Sequence, residues 1–503
     1  MACVALHHLI FALILAMVGT FSISYLISAS DHHISVLFPY ISDTGALPPE
    51  SCVFGQLLNL CSFLSILCIY GWYLHECVVI HTRGGPHSHI MFARVTCFIG
   101  CLSALGMSMV ANFQEATLLT VHLMGALLVF GLGNVFTVLV TYSTRKHLEY
   151  NHKIFVIRAT LSAVILLAHI GTLVFGVMCS SLTIPLPKKW DPNEKGYIFH
   201  ALSSTCEWLM AFSFLLFFAS MSMELKNYVL EPVKIRSRPN LLDIFGENII
   251  LDKEVVRLGA IESNAFLSWR MAIVTCYFMS LKRDHISPYF PYISDAGSTV
   301  PESCIFGQLL NMASLIGGLC FYSWHKYILD CSQKYDRRCY RQMKIARIAL
   351  CFGFISAFGM SLVANFQETA VWSVHIIGAA LAFGGGSIYS LCVTYITYKY
   401  LRSGRIWITR FVLSLLTIAS FIIHPITGLI ARLMYDGDNI RKWKPVDRGY
   451  EYHVASGTAE WITALSFMCF VLSLAWELKD CKLHTVKIGP RWNNAHYDED
   501  ILS

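Results

Sequence analysis

Apolar runs of about twenty residues or more recur along this chain, and a polypeptide that carries them has few ways to fold in water. They fall at roughly residues 6–29, 51–74, 92–111, 116–140, 154–179 and 197–221. They return at 302–324, 346–364, 369–396, 408–431 and 451–475. A helix rises about 1.5 Å per residue and needs about 20 apolar residues to cross the hydrocarbon of a bilayer. Short polar connections separate the runs. Only 14% of the 503 residues are charged and 55% are hydrophobic, with a mean hydropathy of +0.55, so the bilayer is the expected solvent. The fold class expected is all-α: a polytopic integral membrane protein of two tandem six-helix bundles.

Eighteen cysteines are enough for a disulfide framework, but Cys61, Cys68, Cys97, Cys101, Cys351 and Cys392 lie inside the apolar runs. There a thiol acts as a small packing or lipid-facing residue. No paired C-x-x-C set of the zinc-binding kind occurs, and no N-x-S/T acceptor. The net charge of +6 says less than where the charge sits. The first run exceeds the apolar segment of a secretory signal and no Lys or Arg precedes it. It reads as a retained helix, with "SAS" at 28–30 as the alternative cleavage site.

The two sets of runs are copies. "PESCVFGQLLN" from Pro49 returns as "PESCIFGQLLN" from Pro301, an offset of 252. "GMSMVANFQE" ending at Glu115 matches "GMSLVANFQE" ending at Glu368, and "GYIFHALSSTCEW" from Gly196 matches "GYEYHVASGTAEW" from Gly449, both offset by 253. Agreement over some 200 residues is duplication of a whole module, not a solenoid period. The domains expected are 1–225 and 261–480, joined by a cytosolic linker at 226–260 and followed by a cytosolic tail at 481–503.

Basic residues set the expected orientation. Arg83, Arg94, Arg145, Lys146, Lys153, Arg158, Lys226, Lys234, Arg236 and Arg238 flank alternate connections, while the "FPYISD" and "NFQE" loops have no Lys or Arg. Only Lys188, Lys189 and Lys195 sit on the other side, so the termini are expected to be cytosolic. In the second half, residues 261–281 hold Glu262 and a central Arg270, and an arginine at mid-helix costs roughly 2.5 to 3.5 kcal/mol. Without that crossing, the basic loop of Lys334, Arg337, Arg338, Arg341 and Lys344 would lie on the luminal side. Twelve crossings are therefore favoured over eleven.

Ionisable groups inside apolar helices invite a reason. The fourth helix carries Glu115 and His122 and the sixth His200 and Glu207; the second half repeats them as Glu368, His375, His453 and Glu460. Seven residues advance a helix about two turns, so each pair shares a face. The order of acid and imidazole is reversed between the two helices, which suggests pairing of Glu115 with His200 and of His122 with Glu207. The plainer reading makes Glu115 part of the turn "ANFQEA", with Asn112 and Gln114 capping helix ends. For His122 and Glu207, structural glue, ligand or proton handling and a metal site all stay open. No H-E-x-x-H motif supports a metal, and no metal or cofactor is expected.

Gln56 and Asn59 suit interhelical hydrogen bonding, and Gly125, Gly131, Gly133, Gly378 and Gly384 to Gly386 suit close helix contact. Trp190 and Trp443 read as interfacial anchors. In "FPYISDTGALPPES", Phe38, Pro39 and Tyr40 would lie at the headgroup boundary, Asp43 with Gly45 would turn, and Glu50 with Ser51 would open a helix. The loop is a lid-like collar that ties the first two helices or presents a surface to a partner, with Asp43 and Asp295 the residues to watch.

"FPYISDTG...PPES", "VANFQE" with a histidine seven residues on, and "W-x-P...KGY...H......EW" together resemble the damage-regulated autophagy modulator (DRAM) family. The match covers nearly all of the first half and, apart from its weak opening helix, the second. The resemblance implies a six-helix bundle per half, residence in lysosomal or endosomal membranes, and a non-enzymatic role promoting autophagy and stress-linked cell death. It makes residues 38–51 the luminal signature, 112–115 a hairpin, and His200 with Glu207 a last-helix polar pair. Doubling departs from that single-unit pattern.

The expected function is regulation of autophagy through binding of membrane lipids or other lysosomal membrane proteins, with no nucleic-acid partner. The alternatives are an intramembrane lipid-remodelling enzyme using the His and Glu set, and a proton-coupled transporter. The terminal "DEDILS" only approximates a sorting signal.

Overall fold

A computed structural model describes residues 5–148, 151–182, 189–230, 235–236, 256–334, 339–401, 404–437, 439–478, 482–483 and 488–490. Lys188, Lys234, Arg238, Arg337 and Arg338, and the "DEDILS" segment, lie outside them. The protein is an all-α polytopic membrane protein: among the described residues, eleven helices are long and apolar enough to cross a bilayer. The chain divides into two units, each with its own core.

The first unit holds six long helices: α1 Leu6–Ser30, α2 Glu50–Thr82, α3 His87–Asn112, α4 Leu119–Lys146, α5 His152–Leu182 and α6 Tyr197–Leu225. Sequence neighbours pack as spatial neighbours and α6 returns to α1, closing an up-and-down bundle. Trp72, Met210 and Phe217 fill its centre with almost no exposure. Outward faces carry Leu15, Leu167 and Val177, each two-thirds exposed or more, a pattern that suits lipid and not water. Lipid tails give helices no hydrophobic reason to associate, so close packing and interhelical hydrogen bonds hold the bundle. A Cβ on Gly106 of α3 would stand 2.8 Å from the Gly125 carbonyl oxygen of α4, so Gly106 requires glycine for the crossing.

The second unit repeats this with α7 Leu258–Lys282, α8 Glu302–Lys334, α9 Cys339–Asn365, α10 Trp372–Leu401, α11 Ile406–Met434 and α12 Tyr450–Leu478. Trp324, Tyr389, Phe467 and Phe470 centre its core. Helix α7 carries Glu262 and Arg270 in its sequence and is not among those eleven. It nevertheless packs along α8 as α1 does along α2. Its Trp269, Ala272, Ile273 and Cys276 are buried, while Arg270 is turned outward.

The expected linker and tail are not plain connections. Strand β1 Tyr228–Leu230 pairs antiparallel with β5 Ile488–Pro490 in the first unit, and Ala5 bridges to Val229. In the second, β4 Lys482–Leu483 lies between β2 Ile235–Arg236 and β3 Val256–Arg257. Parts of 226–260 and 481–503 therefore belong to the two units. The cysteines resolved as free include Cys61, Cys68, Cys97, Cys101, Cys351 and Cys392.

Candidate functional site

The segment between α1 and α2, residues 31–49, is more than a band at the mouth of the first unit. It dips into the bundle. Phe38 takes a left-handed φ of 58° and is exposed; the chain behind it turns inward, so Pro39 is buried and Tyr40 half-buried. The Pro39 carbonyl accepts two bonds from α6, from Ser204 Oγ at 2.8 Å and Trp208 Nε1 at 2.9 Å. The next amide, Ile41 N, donates to Glu207 Oε2 at 3.0 Å. Ser42 Oγ donates to Glu115 Oε2 at 2.7 Å. Tyr40 N donates to Asp43 Oδ2 at 3.2 Å, and Thr44 Oγ1 to the Ile41 carbonyl at 2.7 Å, which closes the turn at Asp43–Gly45. A Cβ on Gly45 would stand 2.4 Å from the Phe54 ring, so the turn seats only glycine there.

The second unit repeats three of these bonds. Ile293 N donates to Glu460 Oε2 at 3.0 Å, Ser294 Oγ to Glu368 Oε2 at 3.0 Å, and Trp461 Nε1 to the Pro291 carbonyl at 2.9 Å. In each unit three carboxylates lie close enough to repel: Asp43, Glu115 and Glu207, and Asp295, Glu368 and Glu460. Burial is the main cause that holds the Asp295 carboxyl well above its ordinary range, with Glu368 and Glu460 adding to it and Arg441 and a backbone bond to Tyr292 opposing. Burial likewise pushes the Tyr40 and Tyr292 phenols up, so both stay neutral donors.

The acids and imidazoles do share one end of each bundle, but among the described hydrogen bonds and ion pairs they do not partner each other as expected. Both acids of a unit are committed to collar donors. His122 Nδ1–H donates to the Phe113 carbonyl at 2.8 Å, and His375 to that of Phe366 at 2.8 Å. His200 is held between rings: Trp190 stacks on it at 4.5 Å and Tyr40 meets it edge-on at 4.8 Å. His453 lies likewise between Trp443 and Tyr292. Trp190 and Trp443 are therefore buried clamps, 7% and 5% exposed, and not interfacial anchors. Asp43 and Asp295 face inward, and Asp295 is buried. Asn59 does bridge helices, to Asn112 and Ser108, as Asn311 does to Asn365 and Ser361.

Sequence reasoning missed one repeated pair. Arg158, completely buried, grips Glu224 through two parallel bonds of 2.9 and 2.8 Å and also donates to Thr144 and Ser220. Arg410 does the same with Glu477, Thr397 and Ser473. This lock lies at the end of each bundle opposite the collar. The signal was present: an Arg and a Glu persist in both copies, but Arg158 reads equally well as a flanking cytosolic charge.

Beneath the collar of the first unit is a cavity of about 120 Å³. Its lining is almost wholly apolar, including Met17, Ile69, Phe130 and Phe136, and its polar end is formed by Ser42, His122 and Glu207. Residues 127–132 of α4 widen into a π turn at this wall, a distortion frequent at functional sites. The second unit keeps only about 30 Å³. There Trp269 stands for Met17, Phe321 for Ile69 and Tyr389 for Phe136, and the Phe321 and Tyr389 rings meet at 4.4 Å.

The domain described as the Frag1/DRAM/Sfk1/Cwh43P N-terminal domain matches the chain twice, over residues 5–228 and 262–481. The DNA damage-regulated autophagy modulator protein 2 of Bos taurus is 33% identical over 227 residues, covering 44% of this chain and 84% of its own length. The human DNA damage-regulated autophagy modulator protein 1 is 34% identical over 226 residues, covering 44% of this chain and 90% of its own. The modulator of macroautophagy TMEM150B-A of Xenopus laevis is 31% identical over 176 residues, covering 35% of this chain and 65% of its own. No solved structure matches.

Proposed function

This chain belongs to the Frag1/DRAM/Sfk1/Cwh43P family, and from that premise we propose that it is a multi-pass regulator of autophagy in lysosomal or endosomal membranes whose first unit binds a membrane lipid. The names of its relatives support the autophagy role. The cavity under the first collar carries the binding role. An apolar cavity of about 150 Å³ stays dry and takes up a benzene ring, so the space here suits a stretch of acyl chain or a small ring system. Ser42, His122 and Glu207 at its polar end suit the hydroxyl or amide of an amphiphile.

The mode is binding and not chemistry, because the two glutamates and the deeper histidine of the set are already engaged. Glu115 and Glu207 hold the collar, and the Nδ1 proton of His122 is given to a carbonyl. The collar acts as a stopper whose Ile41 contributes to the cavity wall. On the distribution of basic residues, the collar faces the lumen and both termini the cytosol.

The test fills the first cavity with the second unit's own side chains. The double variant Ile69→Phe, Phe136→Tyr should remain folded, lose labelling by a photoreactive lipid analogue in native membranes, and lose its effect on autophagic flux. Retained labelling with full cavity filling would sink the reading.

A further inference from the structure

We propose that the first unit carries a binding site for one divalent transition-metal ion of the Zn²⁺ type, formed by Asp31, His33 and Glu50 at the collar end, and that the second unit has replaced the ion with the side chain of Arg283. The site lies apart from the lipid cavity and is independent of the function proposed above.

Glu50 is the first residue of α2 and is completely buried. Its Oε1 meets His33 Nδ1 at 2.6 Å, while its Oε2 is buried with no hydrogen-bond partner. A buried carboxylate oxygen without a partner is costly. Asp31 completes the group: one ligand atom from each of the three residues lies within 4.8 Å of the others. Asp31 is the C-cap of α1, where the helix dipole already presents negative charge and disfavours a carboxylate. Two acids thus converge on one half-buried imidazole at the negative end of a helix.

The duplicate shows what this arrangement lacks. At the offset of 252, Asp31, His33 and Glu50 correspond to Arg283, His285 and Glu302. Glu302 is equally buried and neither of its oxygens has a hydrogen-bond partner, but Arg283 Nε at 3.6 Å and His285 Nδ1 at 3.3 Å stand beside it as ion partners. The second unit therefore supplies a permanent positive charge beside its buried glutamate, and in the first an aspartate occupies that position. A cation restores the balance there. One imidazole nitrogen and two carboxylate oxygens are ligands suited to Zn²⁺, with bonds of about 2.0 to 2.2 Å and a fourth position left for water. Binding requires the short His33–Glu50 contact to open by about 1 Å so that both can reach the ion. Exposed Asp31 gives the ion its way in.

The full chain, purified in detergent and stripped of metal, is titrated with Co²⁺, followed by its visible absorption, and then with Zn²⁺. The expected result is one tightly held Co²⁺ per chain, displaced by Zn²⁺. Asp31→Arg, which copies the second unit, should weaken that uptake at least tenfold. Arg283→Asp should raise the stoichiometry from one to two. No Co²⁺ uptake by the wild-type chain, or unchanged uptake by Asp31→Arg, overturns the proposal. If Asp31→Arg does not fold, Arg283→Asp decides: a stoichiometry that stays at one also overturns it.

Discussion

Ile41 and Glu207 are 166 positions apart in the sequence, and the amide of the first donates to the carboxylate of the second at 3.0 Å. One bond ties a loop to the interior of the last helix of its bundle. Glu207→Gln keeps an acceptor oxygen and should leave the collar seated. Glu207→Ala strands the buried amide, at a cost of about 1 to 3 kcal/mol. The expected outcome is faster hydrogen exchange across residues 36–46 in the alanine variant alone.

The Arg158–Glu224 lock should dominate the stability of the opposite end. Removing one partner of a buried, doubly bonded pair costs about 3 to 5 kcal/mol, because the other charge is left without compensation. Arg158→Met alone should lower the thermal midpoint strongly. Arg158→Met with Glu224→Leu should recover most of the loss. A double variant as unstable as the single would show that Arg158 acts through Thr144 and Ser220 rather than through the glutamate.

The second collar should be firmer in acid. The Asp295 carboxyl titrates well above its ordinary range when folded. Its contribution is therefore fully present below the unfolded carboxylate value and is lost as pH rises through the raised one. Protection factors over residues 290–299, taken relative to the intrinsic exchange rate at each pH, should be larger at pH 5 than at pH 7.5. Asp295→Asn should flatten that difference.

Glu207→Gln combined with Glu460→Gln separates regulation from lipid chemistry. If the acids hold the collars and do not act on a substrate, the lipid composition of the membranes should not change between wild type and variant. A lipid species that accumulates only in the variant would point to turnover by these residues and count against the binding mode.

Helices, duplication and the clustering of acids and imidazoles at one end of each bundle were legible because each is a periodicity or a repeat. The partners of those groups were not. Level-by-level pairing of Glu115 with His200 treats helices as the only elements in a bundle, whereas the collar enters it and offers backbone amides that the acids accept. Trp190 was misplaced for a related reason: tryptophan beside proline near a helix entrance suits a membrane interface, and only the fold brings Ser35 and His200 around it. The unequal cavities were legible in principle, since Met17, Ile69 and Phe136 face Trp269, Phe321 and Tyr389 across the repeat. Alignment shows the exchange, but only packing shows that it closes a space.

The pairing of Ile488–Pro490 with Tyr228–Leu230 has a consequence for biogenesis. The six helices of the first unit leave the ribosome some 260 residues before the strand that covers its edge. Until then the nascent bundle presents unpaired backbone to whatever chaperone attends it. A chain cut short by a premature stop would carry that mark permanently, so degradation machinery has a physical means to distinguish finished copies from abandoned ones.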